Sequence, residues 1–310
     1  MQGCLRIGTR GSELALRQAQ LFLAALREQA PEVQTELVII QTAGDQRTDI
    51  PLCQVNRATG TADKGVFIAA IEEALARGEI DCAVHSCKDM PGQLDPRMEI
   101  AAVLPREEPG DVLVLKEGAD QVSPTIGTSS VRRGRMAEAF WSGRARVVSL
   151  RGNVHTRLRK LVQSNEMDAI LLARAGLNRL GWAGQSSLSM EGQTLHLVDL
   201  GCDAFMPALC QGAIAIEVRR DDAATRELVR MVNHEPSELT IRAERAFLAR
   251  LGADCSVPVG GYASINGQGL MLRVVYFTAE GLPIRLTLKG TIDQPEQLGA
   301  LAAEQLDEWK

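Results

Sequence analysis

The sequence predicts an α/β chain: two doubly wound domains that share a ligand cleft, then a small α+β domain. Three observations carry this. Short apolar strands alternate with amphipathic helices from Leu5 to about Arg219, the spacing of parallel sheets wound by crossover helices. The alternation runs through twice, with the stretch between "EIAAVLPRE" and "DVLVLKE" reading as a crossing between domains. Beyond about Met231 the pattern changes to one helix, three strands joined by glycine turns, and a closing helix.

Each element has a local reason. "CLRIGTR" reads as a strand, and Ser12 is a suitable N-cap for the helix after it, with Glu13 favourable in the first turn and Leu14, Leu21, Phe22 and Leu26 on one face. "ELVIIQT" is a strand, "GVFIAAIEEALARGE" a helix and "IDCAVHS" a strand. In the second unit a strand ending at Gly127 feeds a helix from about Ser130 to Phe140. "RVVSL" feeds a helix from Val154 to Val162, and "MDAILLA" leads into "RAGLNRLG". "QGAIAIEV" is a further strand. In the tail, "SELTIRAERAFLARLG" is a helix with Leu239, Ala243, Ala246, Phe247 and Leu251 as its apolar stripe. Strands "VPVGGYASI", "LMLRVVYFT" and "PIRLTLKGT" follow, and "PEQLGALAAEQLDEWK" is the last helix.

The bulk numbers narrow the class. A length of 310 residues suggests two or three domains with ample core. No apolar run is long enough to span a bilayer. "MQGCLRIGTRGS" lacks the apolar core of a secretory leader, which predicts a cytoplasmic chain. Seven cysteines, an odd count with no C-x-x-C pair, fit reduced thiols. In "CAVHSC", strand alternation turns Cys82 away from His85 and Cys87, so packing thiols are expected there and no metal site.

Net charge is −5, yet Ile126 to Leu180 holds ten arginines and one lysine against three acids. A basic block in an acidic chain points to a local anionic ligand. Nucleic acid is the weaker reading: single-strand binders use stacking aromatics, and the block holds only Phe140 and Trp141. Open α/β sheets bind ligands at the carboxyl ends of their strands, and the polar residues crowd there. Thr9, Arg10 and Ser12 follow the first strand, and Lys88 and Asp89 follow "AVHS". "GTSSVRR" opens a helix, Arg151, Asn153 and Arg157 surround the next strand–helix turn, and Arg179 ends "AGLNR". Helix N-termini and arginine forks both suit carboxylates or phosphates. Asp89, among cations, reads either as an ionised group that stabilises a developing cation or as a turn cap. Cys255 reads on local grounds either as a small hydrophobe in a turn or as a nucleophile.

In order along the whole chain stand "IGTRGSELAL", "DKGVF", "VHSCKDMP", "GTSSVRR", "SLRGNVHTRL", "AGLNRLG", "QGAIAIE" and "ERAFLARLGADCSVPVG". With these motifs the chain resembles the porphobilinogen deaminase (hydroxymethylbilane synthase) family. The resemblance implies two type II periplasmic-binding-protein-like α/β domains, residues 1–105 plus 207–230 and residues 106–206, and an α+β domain, residues 231–310. It implies a transferase of tetrapyrrole biosynthesis. Four porphobilinogens condense head to tail, with loss of ammonia, on a dipyrromethane primer held by a thioether at Cys255, and hydrolysis then releases hydroxymethylbilane. Asp89 takes the catalytic position, where it would hold pyrrole N–H groups and stabilise the cation left when ammonia departs. Arg10, Ser12, Lys64, Lys88, Thr128, Ser130, Arg132, Arg133, Arg151, Arg157, Arg179 and Gln211 take positions that bind the carboxylates of cofactor and substrate. The resemblance further implies a cytoplasmic monomer whose partners are porphobilinogen and the growing polypyrrole chain, with no metal, nucleic acid or membrane.

The chain departs from the family pattern at five places. Ala43 stands for arginine and Gln54 for lysine, and "NRATGTAD" is longer than the usual link before Lys64. Cys87 stands for methionine and Cys210 for glycine. The segment from Gln54 to Asp63 is expected to be a lid over the cleft. Two rival readings share the cleft: a solute-binding module, which would not need Cys255, and the ligand-sensing domain of a transcription regulator, which would need a DNA-binding motif.

Overall fold

The computed structural model describes residues 4–42, 68–252 and 257–308. The first sheet contains β1 (Leu5–Thr9), β2 (Thr35–Ile39), β3 (Cys82–Ser86), β4 (Met98–Val103) and, from much later in the chain, β11 (Ile214–Arg219), in the order β2-β1-β3-β11-β4. Helices α1 (Glu13–Gln29) and α2 (Ala69–Ala76) cover it. Ser12 caps α1 by accepting from Ala15 N–H at 3.3 Å. Phe22 and Leu26 of α1 pack on Leu5, Ile7 and Val84, whereas Leu21, expected on that face, is 45% exposed.

The second sheet contains β5 (Asp111–Lys116), β6 (Thr125–Gly127), β7 (Arg146–Val148), β8 (Ala169–Ala173), β9 (Ser187–Met190) and β10 (Gln193–Asp199), in the order β7-β6-β8-β5-β10-β9. Its helices are α3 (Val131–Phe140), α4 (Val154–Gln163) and the short α5 (Arg174–Leu177), which runs on into a wide turn through Trp182. After β11 come α6 (Ala223–Arg230) and α7 (Glu235–Leu251). The antiparallel sheet β12 (Val259–Asn266), β13 (Gly269–Phe277), β14 (Pro283–Thr291) and then α8 (Pro295–Asp307) follow. Helices α7 and α8 touch at Gly299, where a Cβ would stand 2.2 Å from Ala243 O, so only glycine fits.

Two expectations need correction. The sheets are mixed rather than wholly parallel: β11 runs antiparallel to β3 and β4, and β5 antiparallel to β8 and β10. The reason is where the chain crosses. It leaves the first sheet after Val103 and enters the second at Asp111, then leaves after Asp199 and re-enters at Ile214. A strand that begins at the edge where the parallel strands end must run backwards. The hairpin β9–β10 and the helix α6 were not expected at all. Glu191 and Gly192 at the hairpin turn both have positive φ (50° and 82°), the turn geometry that suits the right-handed twist of two strands. Asp222 caps α6 by accepting from Thr225 N–H at 3.0 Å.

The tail is tied to both crossings through one carboxylate. Glu244 of α7 is fully buried. It accepts from Arg106 (2.5 and 3.2 Å), from Cys210 N–H and from Ala263 N–H of β12 (2.7 Å). Arg106 in turn donates to Gln211 O at 2.9 Å.

Candidate active site

The crossings draw the two α/β sheets together at one edge. Ser86, at the end of β3, pairs with Ile214 at the start of β11, and Ala173, at the end of β8, pairs with Asp111 at the start of β5. Gly212 makes the return crossing possible. Its φ is +89°, and a Cβ there would stand 2.2 Å from Glu107 O. On one flank α1 bridges the gap: Glu13 pairs with His155 of α4 at 3.1 Å, and Leu14 lies over Gly176.

Below this edge lies a neutralised cluster. Asp111, 1% exposed, accepts from Arg132 (2.7 Å), from Arg133 (2.7 and 3.3 Å) and from Gln211 (2.9 Å). Burial pushes its carboxyl up, but the two guanidiniums outweigh that and hold it well below the ordinary carboxylate range. Arg132 also donates to Met206 O (2.6 Å) and Arg133 to Leu171 O (3.0 Å). Both arginines are thus turned inward, their forks largely engaged, because a carboxylate removed from water demands compensating charge.

Above it stands a group of cations with little acid near. Lys88 donates to Gln211 Oε1 at 3.0 Å. Burial lowers its ammonium to about 8, Arg133 adds to the shift, and Asp89 and Asp111 partly offset it. Arg157 donates to Gly152 O (2.6 Å), and burial brings it down to about 10, with Arg133 adding and Asp89 opposing. Arg179 donates to Gly212 O (2.6 Å) and is lowered to about 10, again chiefly by burial. Both arginines stay charged at neutral pH. Among the described residues no carboxylate lies within ion-pair distance of Lys88, Arg157 or Arg179.

Most of the sequence-predicted residues gather here. Lys88 and Asp89 form the turn Cys87–Asp89 after β3. Asp89 is half-buried and faces Lys88 from its own sheet and Arg157 from the other. Arg151 acts electrostatically on Arg157. Arg10 is half-buried just after β1. Ser12 and Ser130 serve as helix caps, Ser130 accepting from Arg133 N–H at 3.3 Å. Thr128 is buried and accepts from Ser130 N–H at 3.2 Å. Cys255, Lys64, Ala43, Gln54 and the expected lid from Gln54 to Asp63 lie outside the described residues. The last turn of α7, before Cys255, packs at Leu248 and Ala249 on Gly92, just beyond Asp89. In "CAVHSC", Cys82 and Cys87 enter separate cores, and His85 pairs with Glu217 at 3.0 Å. Among the described residues no group of three or more candidate ligands could hold a metal.

Two residues of the arrangement escaped sequence reasoning. Asp111 signals itself as an acid opening an apolar strand after Pro-Gly. Glu244 sits at core spacing on α7 between Thr240 and Phe247, beside the expected stripe but not part of it.

The fold and site define two mixed α/β sheets that meet at a cation-lined edge, with an added α+β unit after them. Residues 5–227 match the family model described as "Porphobilinogen deaminase, dipyromethane cofactor binding domain", and residues 238–308 match "Porphobilinogen deaminase, C-terminal domain". The chain belongs to the porphobilinogen deaminase family. A porphobilinogen deaminase of Desulfitobacterium hafniense is 40% identical over 98% of this chain and 94% of its own length. One of Roseiflexus sp. is 40% identical over 99% and 97%. Among solved structures, substrate binding domain 2 of GlnP from Lactococcus lactis aligns with a TM-score of 0.41 and 10% identity, covering 74% of this chain and 86% of that one. The chain is a transferase of tetrapyrrole biosynthesis with a dipyrromethane cofactor. It joins four porphobilinogens with loss of ammonia and yields hydroxymethylbilane. Among the described residues no helix is long and apolar enough to cross a membrane.

Proposed function

We propose that the cations above the Asp111 cluster hold the carboxylates of cofactor and substrate while Asp89 serves the reacting pyrrole. The observation that carries this is the set Lys88, Arg157 and Arg179: buried enough to be shifted by burial, and without an ion-paired carboxylate among the described residues. Buried charge without a partner is costly, so such a group fits an anionic ligand. A dipyrromethane carries an acetate and a propionate on each ring, and that donor demand fits these residues. When bound, the dipyrromethane supplies the primer to which substrate units are joined.

Arg10, Arg151, Arg157 and Arg179 bind carboxylates from the two sheets, and Lys88 adds charge beside Asp89. Arg133 contributes its field, and Arg132 and Gln211 keep the floor in place through Asp111. Asp89 lies beside Lys88 and Arg157. It accepts from pyrrole N–H groups and stabilises the positive charge that develops on porphobilinogen as ammonia leaves. Cys255, four residues beyond the end of α7 in the sequence, is the attachment residue. Residues 1–105 plus 207–230, 106–206 and 231–310 act as three domains, and closing the first two excludes water from the cation. Lys64 supplies a further cation for substrate carboxylates. The described cysteines are free thiols, which supports a cytoplasmic location, and the working unit is a monomer.

The intact mass of Cys255→Ser tests attachment. The variant should fold, lack the added dipyrromethane and show no turnover. An unchanged holo mass in this variant overturns the assignment.

A further inference from the structure

Cys87 and Cys210 stand on the two segments that meet under Asp89. Cys87 opens the turn Cys87–Asp89, and its N–H donates to Ala213 O at 3.0 Å. Ala213 N–H donates back to Cys210 O at 3.3 Å, closing the turn of the return crossing. Because Ser86 is in register with Ile214, the residues just beyond that pair face one another. Both side chains lie in the same core, Cys87 1% and Cys210 0% exposed, beside Met90, Val103 and Leu209. The two thiols perturb one another: Cys210 lowers the Cys87 thiol, and Cys87 raises that of Cys210. Burial opposes the shift at Cys87, while Arg245 and Arg106 assist it.

The backbone adds a second observation. Cys210 has φ +62°, the left-handed region that favours glycine. The other described non-glycine residues with positive φ, Ser142 and Glu191, lie in exposed turns. Strain held at a buried position marks a place that the surrounding structure fixes.

We propose that Cys87 and Cys210 form a reversible disulfide site that locks the Asp89 turn to the return crossing. The co-reactant is a low-molecular-weight disulfide. The Cys87 thiolate attacks one of its sulfurs, forming a mixed disulfide and releasing one thiolate. Cys210, giving its proton to the released thiolate, then attacks Cys87 Sγ. The internal S–S bond forms and the second small thiolate leaves. Overall, two protein thiols are oxidised and one external disulfide is reduced to two thiols. Because both sulfurs are buried, the reaction waits for local opening of the crossing. The bond would fix Lys88 and Gln211, each one residue away, at a single spacing and so stiffen the turn that carries Asp89.

The effect on turnover rests on the reading of Asp89 given above, but the linkage itself does not. The test treats the holoenzyme with excess glutathione disulfide, blocks remaining thiols with N-ethylmaleimide under denaturing conditions, and maps the peptides by mass spectrometry. The expected product is a Cys87–Cys210 cross-linked peptide, two hydrogens lighter than the reduced pair and released by dithiothreitol. Turnover should fall by about tenfold and return on reduction. Cys210→Gly, which also suits the positive φ, should fold and turn over, form no cross-link and resist the oxidant. Full alkylation of both thiols after treatment, or linkage to other cysteines only, overturns the site. A cross-link without loss of turnover, or equal loss in Cys210→Gly, overturns the lock.

Discussion

Arg132 and Arg157 lie in one basic block, each beside a strand end, and the fold uses them in opposite ways. Arg132 is 5% exposed and donates to the Asp111 carboxylate and to Met206 O. Arg157 donates to a single backbone carbonyl, and no carboxylate of the described chain lies within ion-pair distance of it. The first arginine is engaged by the protein's own acid, and the second is the one assigned above to a ligand carboxylate. An arginine count alone cannot tell these apart, because the difference is made by one acid, Asp111, brought in by a strand that starts at the cleft edge.

The comparison breaks first at Asp111. Asp111→Asn leaves Arg132 and Arg133 buried without their counter-charge, which should cost about 3–5 kcal/mol. Chemical denaturation followed by circular dichroism measures it, and a loss under 1 kcal/mol, about the worth of an ordinary hydrogen bond, would show that the floor is not held by charge.

Asp89 is the counterpart on the open side. Asp89→Asn keeps the shape and removes the charge, so turnover should fall about 100-fold or more while the melting temperature stays near wild type. Near-normal porphobilinogen consumption would show that the carboxylate's charge is not used.

A milder effect concerns pH. In the free protein Lys88 is charged below about pH 8 and neutral above it, because burial lowers its ammonium. A bound carboxylate favours the charged form, so binding should take up a proton around that pH. KM for porphobilinogen should therefore rise as pH passes upward through about 8, and Lys88→Met should show a higher KM with that inflection gone. An unchanged inflection in Lys88→Met would assign it to another group.

The strand–helix alternation, the caps Ser12 and Ser130 and the convergence of polar residues on strand ends were all legible, because each rests on neighbours close in sequence. Strand direction was not. That β5 and β11 run backwards follows from where the chain crosses, and only the assembled sheets show it. The stripe of α7 was read as Leu239, Ala243, Ala246, Phe247 and Leu251; Ala243 and Phe247 do lie in its buried face, but Thr240, Ile241 and Glu244 join them there. Periodicity ranks an acid as surface, while Glu244 is buried because Arg106 and two backbone N–H groups from distant segments meet it there. The site's cations were found as a set, and their division into paired and unpaired required the position of Asp111, which lies 21 residues from its arginine partner Arg132.

The most direct test of that division is a paired measurement on Arg157→Gln and Arg132→Gln, taking KM for porphobilinogen and the melting temperature of each. Arg157→Gln should raise KM about tenfold, the worth of one charge-assisted contact, with the melting temperature unchanged. Arg132→Gln should lower the melting temperature by several degrees with KM unchanged. If both variants raise KM alike and melt alike, the two arginines play the same part and the distinction between floor and ligand site is wrong.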